Sequence, residues 1–335
     1  MINKPLLSVF IPAYNTPDYT RKTLQSVVDQ NYRPIELVVS DDCSPVSLEP
    51  LVREFRCYES ADFVIRFFRQ KSNLRFIDNT IFCFNQCSGK YIVNLQHDDW
   101  WTDSFFLSET VDLMEKNPDC YFCVANSEIE NSAGKLMIQI PQNLDAKNKW
   151  QIIKGEEYIK LLGSSKVGFP AFSAVVFNRI VGLTLGVYNS PFIISNKEGN
   201  ILGVSPDEFF AFQFLLASIG NVAVTEKIVS VRGCPKTRFS LSSEFSRTLG
   251  QAGFVVFYNI YKANLKGAYA KAVKRRAKEM IFYYHIEKIN FKILKKFNWS
   301  LSAIWFMTLS FIKHLSCVPI YHLSNLYRKV AKIKK

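Results

Sequence analysis

The sequence predicts an α/β protein: a mostly parallel sheet with helices on both faces, followed by a C-terminal helical extension. Three observations predict it. Short, continuously apolar runs recur through the first hundred residues. Helix-like stretches follow the first and third of them, which is the strand–helix–strand pattern of a sheet covered on both faces. Several runs end abruptly on polar, turn-forming residues, and in such sheets ligands gather at the carboxyl ends of the strands.

The elements follow in order. Leu6 to Pro12 (LLSVFIP) reads as a buried parallel strand, because nothing in it alternates with polar residues. Tyr14-Asn15-Thr16-Pro17-Asp18 is a turn able to start a helix, and Leu24, Val27 and Val28 then fall at helical spacing. Ile35 to Ser40 is a second strand, ended by Asp41-Asp42. Val64 to Phe68 is a third. Ile77 to Gln86 reads as a helix closed by Ser88-Gly89. Tyr91 to Leu95 is a fourth strand, running straight into His97-Asp98-Asp99. Beyond Trp101 the expected elements are a helix over Phe106 to Lys116, strands at Tyr121 to Ala125 and Ala174 to Phe177, an apolar helix from Phe209 to Ser218, and two short strands, Val222 to Val224 and Ile228 to Val231. From about Gly250 the chain reads as helical, basic and aromatic. The division is therefore a domain over 1–235 and a basic amphipathic extension over 236–335.

Charge is distributed as unevenly as structure. The 335 residues carry a net charge of +13. From Lys262 onward there are 17 Lys and Arg against two acids, Glu279 and Glu287, a balance of +15; the preceding residues hold the other 25 bases and 27 acids, a balance of −2. A near-neutral body with a basic tail is not the profile of a uniformly basic nucleic-acid binder; for the tail, a helical cap on the domain and RNA binding are the readings that rival a membrane surface. Lysines and arginines interleaved with Tyr283, Trp299 and Trp305 suit an anionic membrane surface, where each cation contributes on the order of 1 kcal/mol. The longest apolar stretch, Trp299 to Ile312, is too short to span a bilayer. Eight cysteines are too few for a disulfide scaffold, and no signal peptide opens the chain, so a reducing cytosolic setting is expected.

Absent motifs narrow the chemistry. There is no GxGxxG, no GxxxxGK[ST], no GxSxG and no HExxH. Any phosphate must then be held through a metal. Asp98 and Asp99 suit that task, since a hard divalent cation takes one or two carboxylates when a diphosphate supplies further oxygens. The bland alternative is a solvated turn. Cys120 and Cys123 have CxxC spacing, but no second pair of ligands accompanies them, and they read as core or edge residues. Cys83 and Cys87, one helical turn apart, read as packing. Trp100 and Trp101 line an acceptor or sugar pocket or simply pack; both readings stand.

These segments resemble the inverting family 2 nucleotide-sugar glycosyltransferases of GT-A fold. VFIPAYN at Val9 to Asn15 is similar to the family's opening strand. VVSDDCS at Val38 to Ser44 is similar to its second nucleotide-binding strand end. NLRFIDNTIFCFNQCSGKYIVNLQHDDWWTD, Asn73 to Asp103, is similar to the stretch leading into its metal motif, in the branch common among bacterial surface-polysaccharide enzymes. The resemblance covers roughly Leu6 to Arg232. It implies that Pro12, Ala13, Tyr14 and Asn15 wall the nucleoside pocket, that Asp42 with Asp41 receives a uracil-type base, and that Asn79, His97 and Asp98 also face the donor. It implies Asp98 and Asp99 as ligands of Mg²⁺ or Mn²⁺, although Gln96 and His97 stand where the family has an acid and a small residue. It implies Asp207 or Glu208 as the base that deprotonates the acceptor hydroxyl, and Arg232 and Arg238 as grips on the diphosphate. The expected partners are a nucleotide-sugar, a saccharide or lipid-linked saccharide acceptor, and an anionic membrane, with the protein cytoplasmic and bound to the inner face of the plasma membrane. A nucleotidyltransferase and a degenerate scaffold protein are the rival readings.

Overall fold

The computed structural model describes residues 4–130, 136–138, 149–163, 171–184, 194–195, 201–203, 213, 216–217 and 219–233. The chain runs β1 (Leu7–Ala13), α1 (Pro17–Val28), β2 (Ile35–Asp41), α2 (Glu49–Phe55), β3 (Phe63–Arg69), α3 (Arg75–Gln86), β4 (Tyr91–Asn94), β5 (Asp99–Trp101), α4 (Phe106–Lys116) and β6 (Cys120–Glu130). There follow β7 (Leu136–Ile138), β8 (Gln151–Lys154), α5 (Gly155–Gly163), a 3-10 turn (Phe172–Ala174), β9 (Val175–Asn178), α6 (Arg179–Thr184), β10 (Ile194–Ser195), β11 (Ile201–Gly203) and β12 (Asn221–Arg232).

Ten strands form one sheet, ordered β3-β2-β1-β4-β9-β6-β12-β5, with β7 on β6 and β8 on β12; β10 and β11 pair separately. Every residue of β1 and β2 is buried, which is why both read as unbroken apolar runs. β3 lies at the edge; its Val64 and Arg69 are exposed, and a charged edge discourages further pairing. α1 opens on Pro17, whose missing N–H is no loss in a first turn. It buries Thr20, Thr23, Leu24 and Val27, one stripe at 3.6-residue spacing.

The sheet order fixes where a ligand can go. β2 and then β3 add to one side of β1, all parallel, whereas β4 returns to pair with the other side of β1, also parallel. The direction of strand addition thus reverses between β1 and β4. At such a switch point the connections leave in opposite directions and open a crevice beyond the carboxyl ends.

Beyond β4 the sheet is mixed. β9 runs antiparallel to both β4 and β6, and β5 and β8 run antiparallel to β12. The expected pair of strands at 222–224 and 228–231 is one strand, β12, whose register shifts between Val224 and Ile228. The irregularity breaks the apolar pattern at Thr225-Glu226-Lys227, which reads as a turn in the sequence. α2 and β5 had no sequence-level expectation. The expected helix at Phe209 to Ser218 falls mostly outside the described residues, as does the whole 236–335 extension. Cys83, Cys87, Cys120 and Cys123 are buried free thiols. Among the described residues no helix is long and apolar enough to cross a membrane.

Candidate active site at the carboxyl edge of the sheet

The turn after β1 begins the site. Pro12 and Ala13 are buried, while Tyr14 is 41% exposed. Asn15 adopts the left-handed region at φ 51°, which asparagine tolerates better than most residues. Its N–H donates to Ser44 Oγ at 3.0 Å, tying the β1 turn to the β2 turn. Ala13 and Asp41 are register partners, so the two strands end level.

Asp41 and Asp42 have different work. Asp41 is fully buried. It accepts the backbone N–H groups of Ser44 at 2.9 Å and Leu48 at 3.1 Å, and Arg69 Nη1 at 2.7 Å. Its carboxylate shapes the loop. Asp42 is also buried, and its Oδ1 accepts the N–H of Leu74 at 2.6 Å. Burial is the largest influence on its carboxyl and pushes the pKa up; the N–H groups of Leu74 and Arg75 oppose it, and the nearby Asp41 and Asp78 add to it. The net direction is upward, the mark of a buried acid short of compensation. Asn79 is buried on α3 and exchanges two hydrogen bonds with Ser40: the hydroxyl donates to Oδ1 at 2.6 Å, and Nδ2 donates to the carbonyl at 3.1 Å. It docks α3 on the end of β2.

The turn after β4 is fastened on three sides. His97 Nδ1 lies 3.0 Å from the carbonyl of Pro12; a carbonyl only accepts, so that nitrogen carries the proton. The Thr23 hydroxyl of α1 lies 2.7 Å from the Asp99 carbonyl and 3.0 Å from that of His97. The N–H of Gly233 donates to the Asp98 carbonyl at 2.9 Å. A Cβ on Gly233 would stand 2.1 Å from that same oxygen and 2.6 Å from the Tyr19 ring, so only glycine lets the end of β12 approach. Arg232, one residue earlier, is the register partner of Asp99. Gln96 Nε2 donates to Asn94 Oδ1 at 2.7 Å. Trp101 packs in the core and donates to the Ser173 carbonyl at 2.7 Å. Trp100 is half-buried, tilted against Tyr19, with Lys22 Nζ 4.8 Å from its ring centre.

Pro12, Ala13, Tyr14, Asn15, Asp41, Asp42, Asn79, His97, Asp98, Asp99 and Arg232 thus lie along one edge of the sheet, at strand ends, in the turns after β1, β2 and β4, and on α3. Asp207, Glu208 and Arg238 lie outside the described residues. Among the described residues no three His, Cys, Asp or Glu side chains gather as a cation cage. Two adjacent carboxylates are the donor set of a hard cation whose remaining ligands come from a diphosphate, so the residues present fit Mg²⁺ or Mn²⁺ only in company with a nucleotide. Sequence reasoning missed Thr23, Ser173 and Gly233. Their one signal was a small or hydroxylic residue within or beside an apolar stretch.

A switch-point crevice rimmed by acidic turns defines the α/β class that takes its ligand at the carboxyl edge. The profile described as "Glycosyl transferase family 2" matches residues 8–181, more than half of the 335 residues, and the chain belongs to that family. A putative teichuronic acid biosynthesis glycosyltransferase, TuaG of Bacillus subtilis, is 27% identical over 114 residues, 34% of this chain and 44% of the relative. An uncharacterized glycosyltransferase of Haemophilus influenzae is 31% identical over 117 residues, 35% of each chain. The chain spans under half the length of these curated relatives. Among solved structures, S. aureus TarS 1-349 in complex with UDP-GlcNAc matches with a TM-score of 0.59 at 15% identity, over 84% of this chain and 72% of that one. A mannosyltransferase of Pyrobaculum calidifontis in complex with GDP-Man and Mn²⁺ matches with a TM-score of 0.54 at 14% identity, over 94% and 81%. These likenesses establish the fold, which is of GT-A type.

Proposed function

We propose that the chain transfers a sugar from a nucleotide-diphosphate donor, a UDP-sugar in the first instance, to a hydroxyl of a saccharide or lipid-linked saccharide. Transfer proceeds with inversion and serves a bacterial surface glycan such as O-antigen or capsule. The observation that carries the reading is that the Asp42 turn and the His97-Asp98-Asp99 turn are both fastened to the end of β1, at the β1/β4 switch point. Donor complexes of two proteins with this fold and the teichuronic acid biosynthesis role assigned to TuaG support it.

In this reading Tyr14 and Pro12 wall the base, and Asp42 accepts its N–H. Asp41 and Asn79 act one step behind, holding the loop and helix that frame the pocket. Asp98, with Asp99 beside it, would hold the cation. A bound Mg²⁺ or Mn²⁺ would supply positive charge to the diphosphate leaving group. Asp207 or Glu208 takes the proton of the acceptor hydroxyl while its oxygen bonds to the anomeric carbon and the bond to the diphosphate breaks. Arg232 and Arg238 neutralise the departing oxygens. The 236–335 extension holds the protein on an anionic membrane, next to lipid-linked acceptors. Truncation after about residue 250 should then release it from anionic vesicles, and continued sedimentation with them would remove the extension from that role.

The decisive test is product analysis with a panel of UDP- and GDP-sugars. Release of the nucleoside diphosphate is expected, and Asp98→Asn should slow it about a hundred- to a thousandfold with an unchanged melting temperature. Release of pyrophosphate, or turnover unaffected by Asp98→Asn, would overturn the reading.

A further inference from the structure

Beneath the Asp98 turn lies a row of hydroxyls with no counterpart among the motifs above. Ser127 on β6, Ser230 on β12 and Ser173 in the 3-10 turn before β9 are each at most 1% exposed. Ser127 and Ser230 are register partners, and their hydroxyl oxygens lie 2.7 Å apart. Ser230 Oγ lies 3.4 Å from Ser173 Oγ. The Ser173 hydroxyl donates to Asp99 Oδ2 at 2.9 Å, and Asp99 is itself 1% exposed.

The geometry sets the direction of the row. The Ser173 hydroxyl gives its single proton to Asp99, so it can only receive from Ser230. Three buried serines and a buried aspartate are an expensive way to fill space: apolar side chains of similar volume would pack there at no desolvation cost. What the row achieves is orientation. The Asp99 carbonyl is held by Thr23, the Asp98 carbonyl by Gly233, and the Asp99 carboxylate by Ser173, whose own carbonyl is fixed by Trp101. Asp98 therefore stands in a turn whose neighbouring side chain is anchored from below.

We propose that Ser173 is a positioning residue which, through Asp99, fixes the carboxylates that bind a cation-bridged nucleoside diphosphate. This rests on the donor reading above. Ser173 touches neither cation nor nucleotide, so its removal should be felt only where the cation is needed. Groups one step behind metal ligands typically contribute about tenfold to a hundredfold in metal affinity.

The test uses the full chain with Ser173→Ala and Ser173→Cys, the second nearly isosteric but a poor donor, in case the alanine leaves too large a void. UDP and, in parallel, GDP are titrated calorimetrically in Mn²⁺ and in EDTA, and the apo melting temperature is recorded. Both variants should bind the nucleotide about tenfold more weakly in Mn²⁺, bind it within twofold of the unaltered chain in EDTA, and melt within a few degrees of it. Equal losses in Mn²⁺ and EDTA, or no loss in Mn²⁺, would show the row to be packing alone and overturn the proposal. An unaltered chain whose binding of both nucleotides ignores Mn²⁺ would instead overturn the donor reading, and this proposal with it.

Discussion

Strand β2 carries a buried acid at each end, and the two ends are built on opposite principles. Glu36, near the start, receives the Ser8 hydroxyl at 2.5 Å, the Ser88 hydroxyl at 2.9 Å, the Gly89 N–H at 3.0 Å and the Ser88 N–H, with Arg66 3.6 Å away. Burial works against its charge, but the hydrogen bonds from Ser8, Ser88 and Gly89 outweigh burial and hold the carboxyl below its ordinary value of 4.5. Asp42, just past the other end, receives fewer donors and faces two further acids, so burial prevails and its carboxyl lies above its ordinary value. The lesson is that burial alone does not mark function. A buried acid whose donors outweigh its burial is a rivet; one left short of donors has capacity for a ligand.

The largest expected effect is at the rivet. Glu36→Ala takes the acceptor from the Ser88 N–H and from the Ser8 and Ser88 hydroxyls, while the Gly89 N–H keeps Ser8 Oγ at 2.8 Å; it should destabilise the fold by about 3 kcal/mol, read as a lower denaturant midpoint, with nucleotide affinity of the folded fraction intact. Equal stability in variant and parent would dissolve the contrast. The pH dependence follows from the directions. Glu36 has a lowered folded-state pKa, so its contribution is complete above the ordinary value and is lost as pH falls through the lowered one. Asp42 has a raised folded-state pKa, so its contribution is present below the ordinary value of 3.8 and is lost as pH rises through the raised one. Denaturation between pH 3 and 7 should therefore show a shallower acid limb in Glu36→Gln.

Next in size is Asp42→Asn. Its amide oxygen can still accept from Leu74, and the unfavourable charge is gone. Stability at pH 7 should rise slightly, by under about 1 kcal/mol, while nucleotide affinity falls about tenfold, the value of a charge-assisted hydrogen bond. Lower stability together with unchanged binding would make Asp42 a second rivet. The smallest effect sharpens the same edge. Cys43 holds φ 59°, a conformation that costs an L-residue about 1–2 kcal/mol, whereas glycine loses about 0.5–1 kcal/mol of chain entropy. Cys43→Gly should raise stability by roughly 0.5 kcal/mol, measurable by chemical denaturation; a decrease would mean the thiol contributes packing that outweighs the strain.

Much of the site was legible because the turns announce themselves. Apolar runs that stop at Tyr14-Asn15, Asp41-Asp42 and Asp98-Asp99 are local features, and local features survive in a string. The division of labour was not legible. Asp41 and Asp42 are neighbours of one type, and only Arg69 arriving from β3, with the way the following loop turns the Ser44 and Leu48 N–H groups back, separates the brace from the acid left short. α2 went unread although Pro50 and the spacing of Leu51, Val52 and Phe55 mark a short helix, because seven residues offer little periodicity.

The amino-acid order by itself determined β1 to β4, the full burial of β1, β2 and β4 and the polar residues that follow them, since these depend on neighbours two to four positions away. Three-dimensional packing alone decided that β4 returns to β1 rather than following β3, and that Ser127, Ser173 and Ser230 line up behind Asp99. Those pairings join residues dozens to over a hundred positions apart, and no side chain records its distant partner until the sheet has closed around it.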